Sequence, residues 1–74
     1  MHLVLVTRQG CHLCDDALKA LHELGLEPEL VDVDANEALH AIYDCRVPVV
    51  LVDDRVVAEG RVEGALLRRA LGRS

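Results

Sequence analysis

Aromatic residues are almost absent from this 74-residue sequence, which has one tyrosine, Tyr43, and neither tryptophan nor phenylalanine. Proteins that bind single-stranded nucleic acid combine a basic surface with aromatic side chains that stack on the bases. Here the formal net charge is −5. We therefore exclude nucleic acid as a partner, and we expect a core built from aliphatic side chains.

Long hydrophobic runs are also missing. The longest uncharged apolar run covers residues 47–52, whereas a membrane-spanning helix needs about 20 apolar residues. The beginning of the sequence lacks the apolar segment and small-residue cleavage site of a secretory signal peptide. The sequence accordingly predicts a cytoplasmic protein with no membrane partner.

Cysteine is scarce, and the count of three is odd. Small secreted domains that depend on disulfides usually carry an even and denser set, so a disulfide-stapled scaffold is excluded. Two of the three, Cys11 and Cys14, form a CxxC motif. In a reducing compartment such a pair is typical of redox catalysis or metal binding.

The length of 74 residues predicts one domain, residues 1–74, which we expect to be a monomer. The apolar pattern predicts that this domain is of the α/β class. Residues 3–6 are continuously apolar, which is typical of a strand buried on both faces of a parallel sheet. From Cys14 the apolar residues recur at helical spacing, and Gly25 is a suitable residue to end that helix.

The middle of the sequence predicts a second strand and a short second helix. Residues 29–34 form the strand, and Asp34 followed by Glu37 resembles a capping box at the start of the helix. The helix should run to about Tyr43. Its buried stripe is predicted to contain Ala35, Ala38, Leu39 and Ile42.

The last third predicts a hairpin and a final helix. Strands at residues 49–52 and 56–58 are joined by Asp53 and Asp54, a moderate turn signal. Gly60 ends the hairpin, and the apolar stripe of the final helix comprises Val62, Leu66, Leu67, Ala70 and Leu71. The order is thus β-α-β-α-β-β-α, with a right-handed first crossover and helices on both sides of the sheet.

The CxxC pair lies where the first strand gives way to the first helix. Free backbone N–H groups at a helix N-terminus favour a thiolate, and they face Cys11. Cys14 lies one turn further on, within reach of Cys11 on the same helix face. This arrangement suits thiol–disulfide exchange, in which Cys11 is the nucleophile and Cys14 resolves the mixed disulfide.

Two other interpretations of the pair stay open. Both cysteines have the size of small core residues, and Cys14 fits the apolar stripe. A closed zinc site needs four ligands, of which one CxxC supplies two; His12 and Cys45 would complete the set only if the fold brought them close. A metal- or iron–sulfur-binding module that shares thiolates across a dimer is the alternative function.

The chain resembles the glutaredoxin-like branch of the thioredoxin-fold family in a minimal form. The resemblance rests on Cys11-His12-Leu13-Cys14 after a first strand, Val47-Pro48 before a third strand, and Gly60 between a hairpin and the last helix. It implies a four-stranded mixed sheet with the CxxC motif at one end. It also implies a cis peptide bond at Pro48, with the Val47 backbone binding the thiol substrate.

The resemblance also suggests a substrate site. Arg8, three residues before Cys11, is predicted to bind a glutathione carboxylate, and His12 to tune the thiolate when protonated. We expect disulfide-containing protein substrates, with glutathione or a thioredoxin reductase as reductant. The redox-active disulfide Cys11–Cys14 would be the working group, with no metal and no bound cofactor. Cys45 is predicted to pack at the start of the third strand, the alternative being a place near the active site.

The sequence departs from typical glutaredoxins at three places. His12-Leu13 stands between the cysteines where glutaredoxins have Pro-Tyr, and Arg46 stands where they have threonine before Val-Pro. Residues 59–63 replace the Gly-Gly-acidic stretch near the last helix. These differences predict weak glutathione recognition.

Overall fold

A computed structural model describes residues 2–72; Met1, Arg73 and Ser74 lie outside the described residues. Within that range the chain forms four strands and three α-helices. The strands are β1 (Leu3–Thr7), β2 (Glu29–Asp32), β3 (Val49–Val52) and β4 (Arg55–Glu59). The helices are α1 (His12–Glu23), α2 (Glu37–Tyr43) and α3 (Gly64–Ala70). The predicted element order is confirmed.

The strands form one mixed sheet in the order β2-β1-β3-β4. β1 pairs in parallel with β2 and antiparallel with β3, and β3 pairs antiparallel with β4. Parallel pairing of consecutive strands requires a crossover, which α1 supplies. The predicted four-stranded mixed sheet of an α/β, thioredoxin-like fold is confirmed.

Strand β1 separates two hydrophobic cores. Its alternate side chains point to opposite faces, so Leu3 and Leu5 enter one core and Val4 and Val6 the other. The first core includes residues of α1 and α3, namely Ala17, Ala20, Leu21 and Leu67, and also Leu26, Val50, Ala58 and Val62. The second core adds Val33, Val49 and Leu51, with Leu39 and Tyr43 of α2 packed against it. Burial of β1 on both faces is confirmed.

Helix α1 has a defined beginning and end. Cys11 has extended backbone angles and is the N-cap. At the other end Gly25 has a φ of +76°, a left-handed conformation that glycine adopts without strain. Its N–H donates to His22 O at 2.9 Å, and Leu26 N–H donates to Leu21 O at 3.0 Å. These two bonds form a Schellman motif, which confirms the predicted stop.

The predicted second strand is two residues too long, and the predicted helix cap is wrong. The strand ends at Asp32, whose carboxylate accepts a hydrogen bond from Asp34 N–H at 2.9 Å and starts a 3-10 turn, Val33–Ala35. Aspartate side chains offer the backbone such a local bond in place of the sheet ladder. Asn36, not Asp34, caps α2 by accepting from Leu39 N–H at 3.0 Å.

Two apolar stripes are narrower than predicted. Ile42 in α2 is 54% exposed and Leu66 in α3 is 48% exposed. The other predicted stripe residues Ala35, Ala38 and Ala70 are exposed as well, so none of the five belongs to a core. α3 begins at Gly64, after Val62, which is buried in the loop before the helix. The predicted hairpin is confirmed; its turn residues Asp53 and Asp54 have φ values of 50° and 68°, as in a type I′ turn.

Candidate active site

Cys11 lies at the exact junction that its position in the sequence predicts, between β1 and α1. Its Sγ accepts a hydrogen bond from the backbone N–H of Cys14 at 3.2 Å. The residue is partly exposed and its thiol is free. An N-cap acceptor satisfies one of the open N–H groups of the helix, and the same N–H supports negative charge on the sulfur as it forms.

Cys14 has a different environment. It is only 2% exposed. Burial raises the pKa of the Cys14 thiol, and its hydrogen bond with Cys11 acts in the same direction, while Thr7 and the Arg8 backbone oppose it. The two cysteines therefore divide into an accessible, N-capping sulfur and a buried one that remains a thiol at neutral pH.

Pro48 lies at the same end of the sheet as the CxxC motif. Val6 at the end of β1 pairs with Val49, the first residue of β3, so Pro48 is adjacent to the segment that leads to Cys11. The Val47–Pro48 peptide bond is cis, as the resemblance implies. Pro48 is fully buried, and its carbonyl accepts from Gly60 N–H at 2.9 Å.

Arg8 makes contacts that the sequence does not predict. Its Nε and Nη2 donate to the two carboxylate oxygens of Asp34 at 2.9 and 2.8 Å. Its Nη1 donates to the backbone carbonyl of Asp44 at 3.0 Å, and Nη2 also donates to the Asp44 carboxylate. Arg8 is thus engaged within the protein, and its predicted contact with a glutathione carboxylate stays a prediction.

These contacts form a charged cluster of Arg8, Asp34, Asp44 and His40. Hydrogen bonds from Arg8 lower the pKa values of Asp34 and Asp44, and the same bonds raise the pKa of Arg8. His40 Nε2 lies 3.2 Å from the Asp44 carboxylate. Asp34, His40 and Asp44 lie close enough to share a cation, but the Arg8 guanidinium already provides positive charge there.

The remaining predicted residues are placed as follows. His12 is exposed as the first residue of α1, and its role in tuning Cys11 stays a prediction. Val47 is partly buried against the second core. Cys45 is exposed, so the prediction that it packs at the start of the third strand is wrong; its Sγ lies 4.0 Å from Asp44 Oδ2.

Arg46 is a further residue of the loop before Pro48 whose contacts the sequence does not predict. Its guanidinium donates from Nε to Glu59 Oε2 at 3.1 Å and from Nη2 to the same oxygen. The guanidinium carbon also lies 5.2 Å from the centre of the Tyr43 ring, within cation–π range. The contacts of Arg46 with Glu59 therefore attach the loop before Pro48 to the end of β4.

A family model described as "Glutaredoxin-like domain (DUF836)" matches residues 2–72. The chain belongs to this glutaredoxin-like family. Relatives include the uncharacterized proteins Rv0508 of Mycobacterium tuberculosis and Mb0520 of Mycobacterium bovis. Each is 35% identical over 79 aligned residues, which cover 95% of this chain and 81% of the relative.

Two solved structures are similar to this glutaredoxin-like chain. Target protein XcR50 from X. campestris has a TM-score of 0.82 at 33% identity, over 95% of each chain. A glutaredoxin, grx-1, from Archaeoglobus fulgidus has a TM-score of 0.69 at 21% identity, over 95% of this chain and 85% of that one; it supports the fold alone. Between residues 2 and 72, no helix has the length and apolar character to cross a membrane.

Proposed function

We propose that this glutaredoxin-like protein is a thiol–disulfide oxidoreductase that uses Cys11 and Cys14 as a dithiol. The observation that carries the proposal is the asymmetry of the pair. Cys11 Sγ accepts a hydrogen bond from the Cys14 backbone N–H at the N-terminus of α1, while the Cys14 thiol itself is buried. Exchange by a dithiol needs one accessible thiolate that attacks the substrate and a second thiol that later attacks the mixed disulfide.

The reaction has two exchange steps. The Cys11 thiolate attacks one sulfur of a substrate disulfide, the S–S bond breaks, and the departing sulfur leaves as a thiolate that takes up a proton. Cys14 then loses its proton and attacks Cys11 Sγ. The Cys11–Cys14 disulfide forms as the mixed disulfide between Cys11 and the substrate breaks, and the second substrate sulfur leaves as a thiolate that takes up a proton. Two electrons pass from the dithiol to the substrate, and glutathione or a thioredoxin reductase would restore the dithiol.

We propose protein disulfides as the main substrates. Arg8 already donates to Asp34 and Asp44, so its availability for a glutathione carboxylate is reduced. Arg46, where glutaredoxins carry threonine, is bonded to Glu59. In this proposal the Val47 backbone beside the cis proline aligns the substrate chain, and His12 remains exposed beside Cys11 to favour its thiolate when protonated.

The test compares a protein disulfide with a glutathione mixed disulfide, both supplied to the pre-reduced protein at equal concentration. We expect the protein disulfide to react at least about tenfold faster, the factor that corresponds to about 1.4 kcal/mol from one missing charge-assisted contact. Released thiols are separated and quantified by chromatography over time.

The Cys45→Ser variant is the control, and it should match the wild type because Cys45 lies outside the CxxC pair. Failure of the wild type to reduce either disulfide would overturn the proposed function. Fast reduction of the glutathione mixed disulfide that is lost specifically in Arg8→Ala would instead identify glutathione as the substrate and Arg8 as its contact.

A further inference from the structure

We propose that Arg8 is a positioning residue that fixes the loop before Pro48 against the CxxC segment by holding Asp44. This inference rests on the proposed function, because it concerns how substrate is aligned for attack by Cys11. It gives Arg8 a different role from a contact with substrate, and it makes the loop position depend on one guanidinium.

The places of the two partners in the chain support this role. Arg8 belongs to the turn that joins β1 to Cys11, and Asp44 is the C-cap of α2, immediately before the segment 45–47 that leads to Pro48. The contact joins residues 36 positions apart. Arg8 thus connects the two segments that meet at one end of the sheet.

The contact with Asp44 restrains the main chain as well as the side chain. Arg8 Nη1 donates to the Asp44 backbone carbonyl at 3.0 Å, and Nη2 donates to its carboxylate. A bond to a carbonyl fixes the backbone itself. Only three residues separate Asp44 from Pro48, and the Arg46 N–H donates to Tyr43 O at 2.9 Å, which closes a turn around Asp44. Because the segment is short and bonded to this turn, we expect a shift of Asp44 to move Val47 as well.

Asp34 has a different part in the same cluster. Its two carboxylate oxygens accept from Nε and Nη2 in the paired geometry that orients an arginine. Asp34 lies in the 3-10 turn before α2 and belongs to neither active-site segment. It therefore orients the guanidinium, while Asp44 is the residue that the guanidinium holds in place.

The donor inventory favours this role over a direct contact with a substrate carboxylate. A guanidinium has five N–H donors. Bonds from Nε, Nη1 and both protons of Nη2 occupy four of them. A paired contact with a substrate carboxylate needs two parallel N–H groups that are free, and Arg8 retains one.

The experiment compares Asp44→Ala with Asp34→Ala as a matched pair. Each variant removes one carboxylate that bonds to Arg8, and the two side chains have nearly equal exposure, 47% and 49%. The first readout is amide hydrogen exchange of segment 45–47, which includes the Arg46 amide. We expect the fastest exchange in Arg8→Ala, which removes the bonds to both the backbone carbonyl and the carboxylate of Asp44. Asp44→Ala loses only the carboxylate bond and should exchange more slowly than Arg8→Ala but faster than Asp34→Ala.

The second readout is the second-order rate constant for reduction of a protein disulfide. We expect a fall of about tenfold in Asp44→Ala and less than about threefold in Asp34→Ala, since misplacement of a substrate-aligning group by about 1 Å can cost up to 100-fold. Asp44→Asn keeps an acceptor oxygen and should restore most of the rate. Reduction of bis(2-hydroxyethyl) disulfide, which has no chain to align, should change less than about twofold in every variant.

Equal exchange and equal rates in Asp34→Ala and Asp44→Ala would overturn the inference, because the cluster would then act only through general stability. Loss of rate in Arg8→Ala confined to glutathione mixed disulfides would also overturn it. A wild-type protein that reduces no disulfide would contradict the proposed function, and amide exchange would still decide whether Arg8 holds the loop.

Discussion

Replacing Cys11 with serine should reduce disulfide exchange by about a thousandfold or more, because a serine hydroxyl cannot replace the attacking thiolate. Replacing Cys14 with serine should have a different effect. The accessible Cys11 sulfur remains, so the first attack proceeds and the reaction stops at the mixed disulfide. The buried position of Cys14 makes it the resolving group in this account.

The measurement is the first turnover of each variant with an excess of a peptide disulfide, followed by intact-mass spectrometry without reductant. Both variants are made in the Cys45→Ser background, which removes the exposed free thiol of Cys45. In that background Cys14→Ser should gain the mass of one peptide half, and Cys11→Ser should gain none. Cys45→Ser serves as the control and should complete the cycle like the wild type. A stable adduct in Cys11→Ser, or full turnover in Cys14→Ser, would show that the roles are assigned wrongly.

Replacing Leu67 with alanine should destabilise the fold by about 2–5 kcal/mol, the usual cost of truncating a fully buried leucine. Leu67 is 0% exposed and is the α3 residue that enters the first core. The total stability of a domain of this size is expected to be about 5 kcal/mol or slightly more. The variant should therefore lose much of the free energy of unfolding of the wild type, and its Tm should fall by more than about 10 °C.

The neighbouring residue supplies the matched control. Leu66 lies in the same helix but is 48% exposed, so Leu66→Ala should change the free energy of unfolding by about 0.5 kcal/mol or less. Thermal and urea unfolding followed by circular dichroism measure both variants. Equal destabilisation by the two substitutions would contradict the burial pattern of α3.

Much of the fold follows from local sequence. The apolar run of β1, the helical spacing after Cys11, and the glycine at position 25 each predict the element that is found. The errors occur where a polar side chain competes for the backbone. Asp32 bonds to Asp34 N–H and ends β2 early, and Asn36 takes the capping position. Apolar periodicity carries no information about such local bonds.

The candidate site likewise has residues that the sequence identifies and contacts that it does not. Cys11, Cys14 and Pro48 are identified by short motifs whose spacing reflects local geometry. The contacts of Arg8 are with residues 26 and 36 positions away, and no short motif encodes them. The sequence predicts that Cys45 packs at the start of the third strand, but its loop leaves it exposed. Long-range ion pairs and loop exposure depend on the assembled sheet.

Peptide mapping of the wild-type protein after one reaction with a protein disulfide tests the central claim most directly. Trypsin cleaves after Arg8, Lys19 and Arg46, so Cys11 and Cys14 share one peptide and Cys45 lies in the next. We expect free thiols to be released from the substrate as the peptide of residues 9–19 loses two hydrogens and forms the Cys11–Cys14 disulfide. Substrate reduction with that peptide still a dithiol, or oxidation that involves Cys45 instead, would contradict the account.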